Sequence, residues 1–344
     1  MAETMPVLSE LEARALVARA FVRAGVIPPD MAEAAAHHLV LTEMMGITTH
    51  GLARVGSYIG RIAAGGIDPS AVPVVTAPAP ALLQMDGRDA LGAAVAQIAT
   101  ARTLEAARKT GIAACFVRRG THFGAVAPCL WIAAEAGFAS FITANSAPML
   151  APPGGRDVAV GNAPTGIGLP HAGGRHVMLD MALSVVARSK LRGAAARGET
   201  IPETWAMDAE GRPTTDPATA LKGVLQAIGG RKGAALAVTL DLFAAGLAGA
   251  AMLTDVADNH RDPSALPDVG HLFIMIDAEK LMPAEALATR LDHASGMVSS
   301  ARPVPGGSPP RLPGARAIAA LKRARAVGMD VSAALLNELE ELAG

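Results

Sequence analysis

Stretches of helical periodicity alternate along this chain with short β-like apolar runs, and that alternation restricts the fold more than any other feature. Helical spacing of apolar residues runs over 91–109, 128–135, 282–295, 316–327 and 332–342. Strand-like runs occupy 112–117, 140–143, 158–160, 177–179 and 272–277, and the proline-bearing stretch 72–83 also alternates like a strand. Glycine and proline loops separate them, a pattern that predicts an α/β core. The first 70 or so residues predict helices alone. Leu8, Leu11, Leu16 and Val17 fall at helical spacing, with Ser9 and Glu12 placed as a capping box. Gly25 closes that helix and Pro28-Pro29 open a second, over 30–45. A third is expected over 51–64, ending at Gly65-Gly66. The most apolar stretch, 234–253, predicts one long buried helix, and 301–314 is a Pro/Gly-rich linker or ordered loop.

At 344 residues the chain suits two domains. Thirty Lys and Arg against 31 Asp and Glu leave a net charge of -1, so the clustered positive charge that nucleic acid demands is missing. No apolar run reaches the ~18 residues of a membrane span. Aromatics make up 3% of the chain, too few for base-stacking platforms. The two cysteines, Cys115 and Cys129, sit in apolar surroundings and read as small buried thiols rather than a disulfide or zinc framework. The acidic, amphipathic N-terminus lacks a signal peptide's basic and apolar regions, so a cytoplasmic protein is expected.

Several common site motifs are missing. There is no GxGxxG after a strand, no GxxxxGK[ST], no GxSxG, no HExxH and no CxxC. His37 and His38 are adjacent and so diverge on a helix, which suits structural or surface roles. Four segments remain. In the first, GITTHGLAR, His50 and Arg54 would share a helix face if Gly51 opened a helix. A histidine passes protons near neutral pH, and an arginine grips a carboxylate through a planar fork. The second is Gly120-Thr121-His122-Phe123-Gly124, a loop after a strand. The third, 145–184, holds Asn145-Ser146, GNAP and DMALS among glycine and proline turns. The fourth, Gly229-Gly230-Arg231-Lys232-Gly233, puts two cations at a helix N-terminus, an anion-binding arrangement. By spacing alone each segment also reads as an ordinary turn or helix cap.

Together and in order, GITTHGLAR, HFG, GNAP, DMALS, IPETWAMDAEGRPTTDP, GGRKG and PGAR resemble the malate/L-lactate dehydrogenase family, over about residues 8 to 342. That family also includes ureidoglycolate, sulfolactate and 2,3-diketogulonate dehydrogenases and Δ1-piperideine-2-carboxylate reductases. The resemblance implies an α/β (α+β) fold with a mostly antiparallel central sheet. The residues alone suggest a doubly wound one. It further implies a homodimer using NAD or NADP, with no metal and with neither nucleic acid nor membrane as partner. His50 falls on the family's proton donor and acceptor, Thr49 on the hydroxyl beside it and Arg54 on the carboxylate-binding arginine. His122, Phe123 and Gly124 fall on the lining of the cofactor and substrate pocket, and Asn162 on a substrate contact. Leu179, Asp180, Met181 and Ser184 fall on nucleotide contacts, as do Lys232, Gly314, Ala315 and Arg316. Hydride would pass between nicotinamide C4 and substrate C2 while His50 handles the hydroxyl proton.

The chain departs from the family pattern at Thr49 (usually serine), at Arg119-Gly120-Thr121, at Ala163 (usually asparagine) and at Ala315 (usually glutamate). The expected division is a helical region 1–75 carrying the catalytic histidine, a mixed core 76–280 for cofactor and substrate, and a helical region 281–344 packing back on the first. The leading expectation is a dehydrogenase of small 2-hydroxy acids. A cyclic imine reductase of the same fold and a non-catalytic ligand-binding homologue are the alternatives.

Overall fold

The structure, a computed structural model, describes residues 5–259 and 261–344. The first four residues of the acidic N-terminus therefore lie outside it. A two-residue strand, β1 (Val7–Leu8), leads into α1 (Glu10–Arg23). Ser9 caps that helix: its Oγ accepts from Glu12 N at 3.2 Å, and Glu12 returns a carboxylate to Ser9 N at 2.9 Å. Helix α2 (Pro29–Met44) starts on its proline. Two 3-10 turns, Thr48–His50 and Leu52–Arg54, come before α3 (Val55–Ala63). The expected helix over 51–64 is thus α-helical only from Val55. The stretch 72–83 is a hairpin rather than one strand: β2 (Val74–Ala79) turns at Pro80-Ala81 into β3 (Leu82–Asp86).

Helix α4 (Gly92–Thr110) carries the chain to β4 (Ile112–Gly120), and α5 (Ala127–Glu135) leads to β5 (Phe138–Ala144). Next come β6 (Thr165–Leu169), β7 (Val177–Met181), α6 (Arg188–Arg197), the short β8 (Ala206–Met207), α7 (Pro217–Lys222), β9 (Val224–Leu225) and α8 (Arg231–Asp241). The last elements are β10 (Val269–Asp277), α9 (Ala284–Ser299), α10 (Ala315–Val327), β11 (Met329–Asp330) and α11 (Ala333–Ala343).

Seven strands form the central sheet in the order β2-β3-β4-β10-β5-β6-β7. Every neighbouring pair is antiparallel except β3 and β4. Those two are parallel because α4 connects them as a crossover. The sheet is therefore mostly antiparallel, as the family resemblance implies, and not doubly wound. Strand β10 lies between β4 and β5 with Leu272, Phe273 and Met275 fully buried, the near-continuous apolar run of a strand covered on both faces.

The predicted strand 158–160 does not form. Val160 makes a single bridge to Leu150 across the Pro152–Gly155 loop. The strand β6, written Thr-Gly-Ile-Gly-Leu, carries too little β-forming side chain to be predicted. Its glycines answer to packing: a Cβ on Gly166 would lie 2.6 Å from Val126 Cγ1, and one on Gly168 would lie 2.6 Å from Ser140 Oγ.

The stretch 234–253 also departs from expectation. Helix α8 begins earlier, widens into a π-turn at Leu242–Gly246 and ends before Gly249, which has φ 73°. Buried Asp241 accepts the N–H of Leu253 at 3.1 Å, which folds the chain back. The helix is not buried all round either. Leu236, Leu242, Phe243 and Leu247 are 46, 44, 44 and 59% exposed.

Two apolar clusters underlie the fold. The larger joins α1–α5 to the sheet, α10 and α11; the smaller gathers Leu150, Leu183, Leu191, Ile201, Leu225 and Leu240 around α6–α8. The C-terminal end meets the N-terminal helices through β1 paired with β11 and through Arg23 Nη1 donating to Glu341 O at 3.1 Å. Helix α9 instead has no buried residue and is held to the β6–β7 turn by Asp292, which pairs with His171 and Arg175. Cys115 and Cys129 are both buried and unoxidised, and burial pushes each thiol up to about 12. Among the described residues no helix is long and apolar enough to cross a membrane.

Candidate active site

The end of α2 builds the turn that carries His50. Glu43 is buried there, and its Oε2 accepts the N–H of Leu52 at 2.9 Å. Burial raises the Glu43 carboxyl above its usual range, and the Leu52 hydrogen bond opposes that shift. Gly51 lies flat against this carboxylate. A Cβ at that position would overlap the carboxylate oxygen and come within 2.9 Å of Glu43 N. Gly51→Ala is therefore expected to cost about 1–3 kcal/mol, as overpacking does. A thermal melt checks it, with a Tm several degrees lower as the expected result and an unchanged Tm as the contrary one.

Thr49 Oγ1 stands 2.9 Å from His50 Nδ1. Arg54 does not reach this turn as the next step of an α-helix face. Its Nε donates to the carbonyl of Thr49 at 2.8 Å, which folds the half-buried guanidinium back over the turn. The hydroxyl, the histidine and the cation thus come from one short segment that two 3-10 turns compact.

The HFG loop packs onto the same turn. Gly124 has φ 95°, and a Cβ there would lie 3.1 Å from the His50 carbonyl. The His122 and His50 rings are 5.9 Å apart. Tyr58, one helical turn after Arg54, sets its hydroxyl 2.7 Å from His122 Nδ1. Phe123 is buried below, 4.9 Å from the His271 ring and 6.0 Å from that of His38. His38 Nε2 donates to the Ala125 carbonyl at 3.1 Å, and Gln97 Nε2 donates to His38 Nδ1 at 3.1 Å. Burial pushes His38 and His271 down to about 3, so both support the loop as neutral rings. The structural reading of His38 thus holds. Sequence reasoning missed Tyr58 and Glu43. The signal for Tyr58 was present: it is the only tyrosine in the chain and stands four residues after Arg54.

A second band of candidates runs along β7. Met178 N donates to Pro313 O at 3.0 Å, and a Cβ on Gly314, whose φ is 89°, would lie 2.9 Å from Met178 N. This brings Gly314, Ala315 and Arg316 against the strand that bears Leu179, Asp180 and Met181. Ile228 N donates to Leu183 O at 2.9 Å, and Ser184 bridges to Ala227, so the Gly229–Gly230 turn before Lys232 joins the band. Lys232 itself is exposed in the first turn of α8. The Oγ of Ser184 is buried without a partner among the described residues. Asp180 turns the other way. Its Oδ2 accepts from Val126 N at 3.1 Å and Ala127 N at 2.8 Å, capping α5 just past the HFG loop. Burial raises its carboxyl. Asp180 thereby ties this band to the loop that holds His122.

Asn162 is fixed by Ser146, whose Oγ donates to Asn162 Oδ1 at 3.0 Å and accepts from Asn162 N at 3.1 Å. Its carbonyl accepts from Leu183 N at 2.7 Å. Ala163 follows at φ 38°, where an asparagine fits readily and an alanine bears roughly 1–2 kcal/mol of strain.

A histidine backed by a hydroxyl, beside an arginine on the same turn and a second histidine across from it, makes a site that can move a proton next to a bound anion. The chain belongs to the malate/L-lactate dehydrogenase family, which it matches over residues 8–340, and it is an oxidoreductase of that family. It is 32% identical over 336 residues to the (2R)-3-sulfolactate dehydrogenase (NADP(+)) of Chromohalobacter salexigens, covering 98% of each chain. To the Δ1-pyrroline-2-carboxylate/Δ1-piperideine-2-carboxylate reductase of Pseudomonas syringae pv. tomato it is 32% identical, covering 96% of this chain and 94% of that one. The crystal structure of a dehydrogenase from Sinorhizobium meliloti superposes with a TM-score of 0.85 at 31% identity, over 99% of both chains.

Proposed function

We propose that the protein transfers hydride between a nicotinamide dinucleotide and a small 2-oxo or 2-hydroxy acid. The observation that carries this reading is the folding of Arg54 back onto Thr49 beside His50. That geometry suits a substrate whose carboxylate and reacting oxygen lie two bonds apart. The residues of the β7 band fit a dinucleotide. Among the described residues the buried Ser184 hydroxyl has no partner, and the positive-φ turn at Gly229 and Gly230 leads into the first turn of α8, whose N–H groups have no carbonyl within the helix to bond and lie beside Lys232. Leu179, Met181, Ser184, Lys232, Gly314, Ala315, Arg316 and the His122–Gly124 loop would hold it, with Asp180 positioning that loop. When bound, NAD or NADP supplies or accepts the hydride. Arg54 grips the substrate carboxylate, His122 and Asn162 complete the substrate's contacts, and His50 gives or takes the hydroxyl proton, with Thr49 able to donate to or accept from Nδ1.

In this reading residues 1–75 bring the proton chemistry, 76–280 the cofactor and substrate core, and 281–344 the flanking helices and the 314–316 contact. The cytoplasm, where nicotinamide pools sustain such turnover, is the proposed compartment. Cyclic imine reduction is a second reading, favoured by the reductase relative. An imine carbon accepts hydride much as a ketone does. Oxidation of NADH and of NADPH, followed over a panel of 2-oxo acids and cyclic imines, decides between them. Turnover of a 2-oxo acid is the expected result. Turnover of imines alone would select the second reading, and none at all would leave a ligand-binding homologue.

A homodimer belongs to the same proposal. The outer face of α8 and its π-turn aligns Leu236, Leu242, Phe243 and Leu247, all solvent-exposed in the single chain. Such a stripe suits an obligate interface, which resembles a core cut in half. Light scattering at low micromolar concentration is expected to give about twice the 34.8 kDa chain mass. A stable, active monomer would rule the dimer out.

A further inference from the structure

Two histidines face each other in this site, and their partners differ in kind. Thr49, beside His50, is exposed, so its hydroxyl can turn to donate or accept. Tyr58, beside His122, is 2% exposed. Among the described residues its hydroxyl has one hydrogen-bond partner, His122 Nδ1 at 2.7 Å. Burial raises the phenol well above its ordinary range, so the hydroxyl keeps its hydrogen. A buried hydroxyl with one available acceptor has to donate to it, because a stranded donor is costly. Nδ1 of His122 is then an acceptor, and the ring hydrogen sits on Nε2.

We propose that Tyr58 is a positioning residue that locks His122 in the Nε2–H tautomer, making it a neutral hydrogen-bond donor to the substrate while His50 alone exchanges the proton. The proposal rests on the oxidoreductase reading above for its role, though not for its geometry. A second proton on His122 would turn Nδ1 into a donor and strand the Tyr58 hydrogen. Arg54 and Arg61, the cations near Tyr58, pull its phenol the other way, but burial is the larger effect and leaves the hydrogen in place. His50 is the titratable ring opposite, and His38 below the loop is buried and neutral. Gly92, at the N-terminus of α4, closes the other side. A Cβ there would come within 2.5 Å of the Thr121 and His122 carbonyls, so the loop cannot recede and the ring stays within reach of Tyr58.

Tyr58→Phe removes the hydroxyl and keeps the ring. Its kcat/KM is expected to fall about five- to tenfold, the worth of one hydrogen bond, with NAD(P)H affinity retained. Its pH–rate profile in the reduction direction, where His50 has to carry its proton, should gain an acid limb that the parent lacks, because His122 becomes able to take a second proton. A purely structural role would not move that limb. Nitrogen-15 NMR of the imidazoles reads the tautomer directly, without turnover: Nε2–H at His122 in the parent, mixed tautomers in the variant. An Nδ1–H tautomer in the parent, or an unchanged pH profile in the variant, overturns the proposal. The parent spectrum decides the matter even if the variant does not fold. Failure to find any substrate would count against the oxidoreductase reading and leave the tautomer assignment standing.

Discussion

Replacing His50 with alanine is expected to lower kcat by about 10²–10⁴-fold at the optimal pH, the usual worth of a positioned general acid–base. NAD(P)H affinity should stay nearly unchanged. The reason for the split is spatial. His50 sits on the turn between α2 and α3, whereas most of the proposed dinucleotide contacts lie along β7, at Lys232 and at the 314–316 loop, and the His122–Gly124 loop alone borders His50. The His50 side chain is held by Thr49 Oγ1, so its loss removes a proton carrier and leaves the Glu43–Leu52 clamp intact. Steady-state turnover with quenching of cofactor fluorescence measures both halves. A loss in kcat below tenfold would contradict the role, and so would a matching loss of cofactor affinity.

Arg54→Met is expected to reduce kcat/KM for a carboxylate substrate by about 10²–10³-fold, since truncating a charged hydrogen-bonding partner costs roughly 2–5 kcal/mol. Arg54→Lys should fall between this and the parent, because an ammonium is a point charge without a planar fork. Arg54 also donates Nε to the Thr49 carbonyl, so part of the loss reflects a looser turn. The two parts separate on a neutral ketone of the same size, which lacks the carboxylate. A clamp predicts that the variants lose far more on the acid than on the ketone. Equal losses on both would mean that Arg54 only braces the turn.

Much of the candidate site is legible in the sequence because its proposed central chemistry lies within six residues. Thr49, His50 and Arg54 are neighbours, and the bonds that arrange them span one and five residues. What the spacing misjudged was the backbone. An α-helical face was expected from Gly51, and Glu43 instead draws the chain into 3-10 turns. The DMALS segment also reads as one patch in sequence. In a strand its residues alternate sides, so Asp180 turns toward the start of α5 and does not line up with Leu179 and Met181.

Elements that depend on neighbours within three or four residues were determined by the sequence itself. The Ser9–Glu12 capping box, the proline start of α2 and the extents of α4, α5 and α10 are of this kind. Their stabilising groups sit on the same turn or the same face, and periodicity exposes them. The order of the sheet was decided only by tertiary structure, as were the glycine strand β6, the end of α8 at Asp241 and the pairing of Tyr58 with His122 across 64 residues. Each depends on which distant surface presses on the chain. Gly166 is a strand residue because Val126 and Leu130 leave no room for a Cβ. Tyr58 meets His122 because Gly92 and Gly124 let the HFG loop sit close between α4 and the His50 turn, a contact that no local spacing encodes.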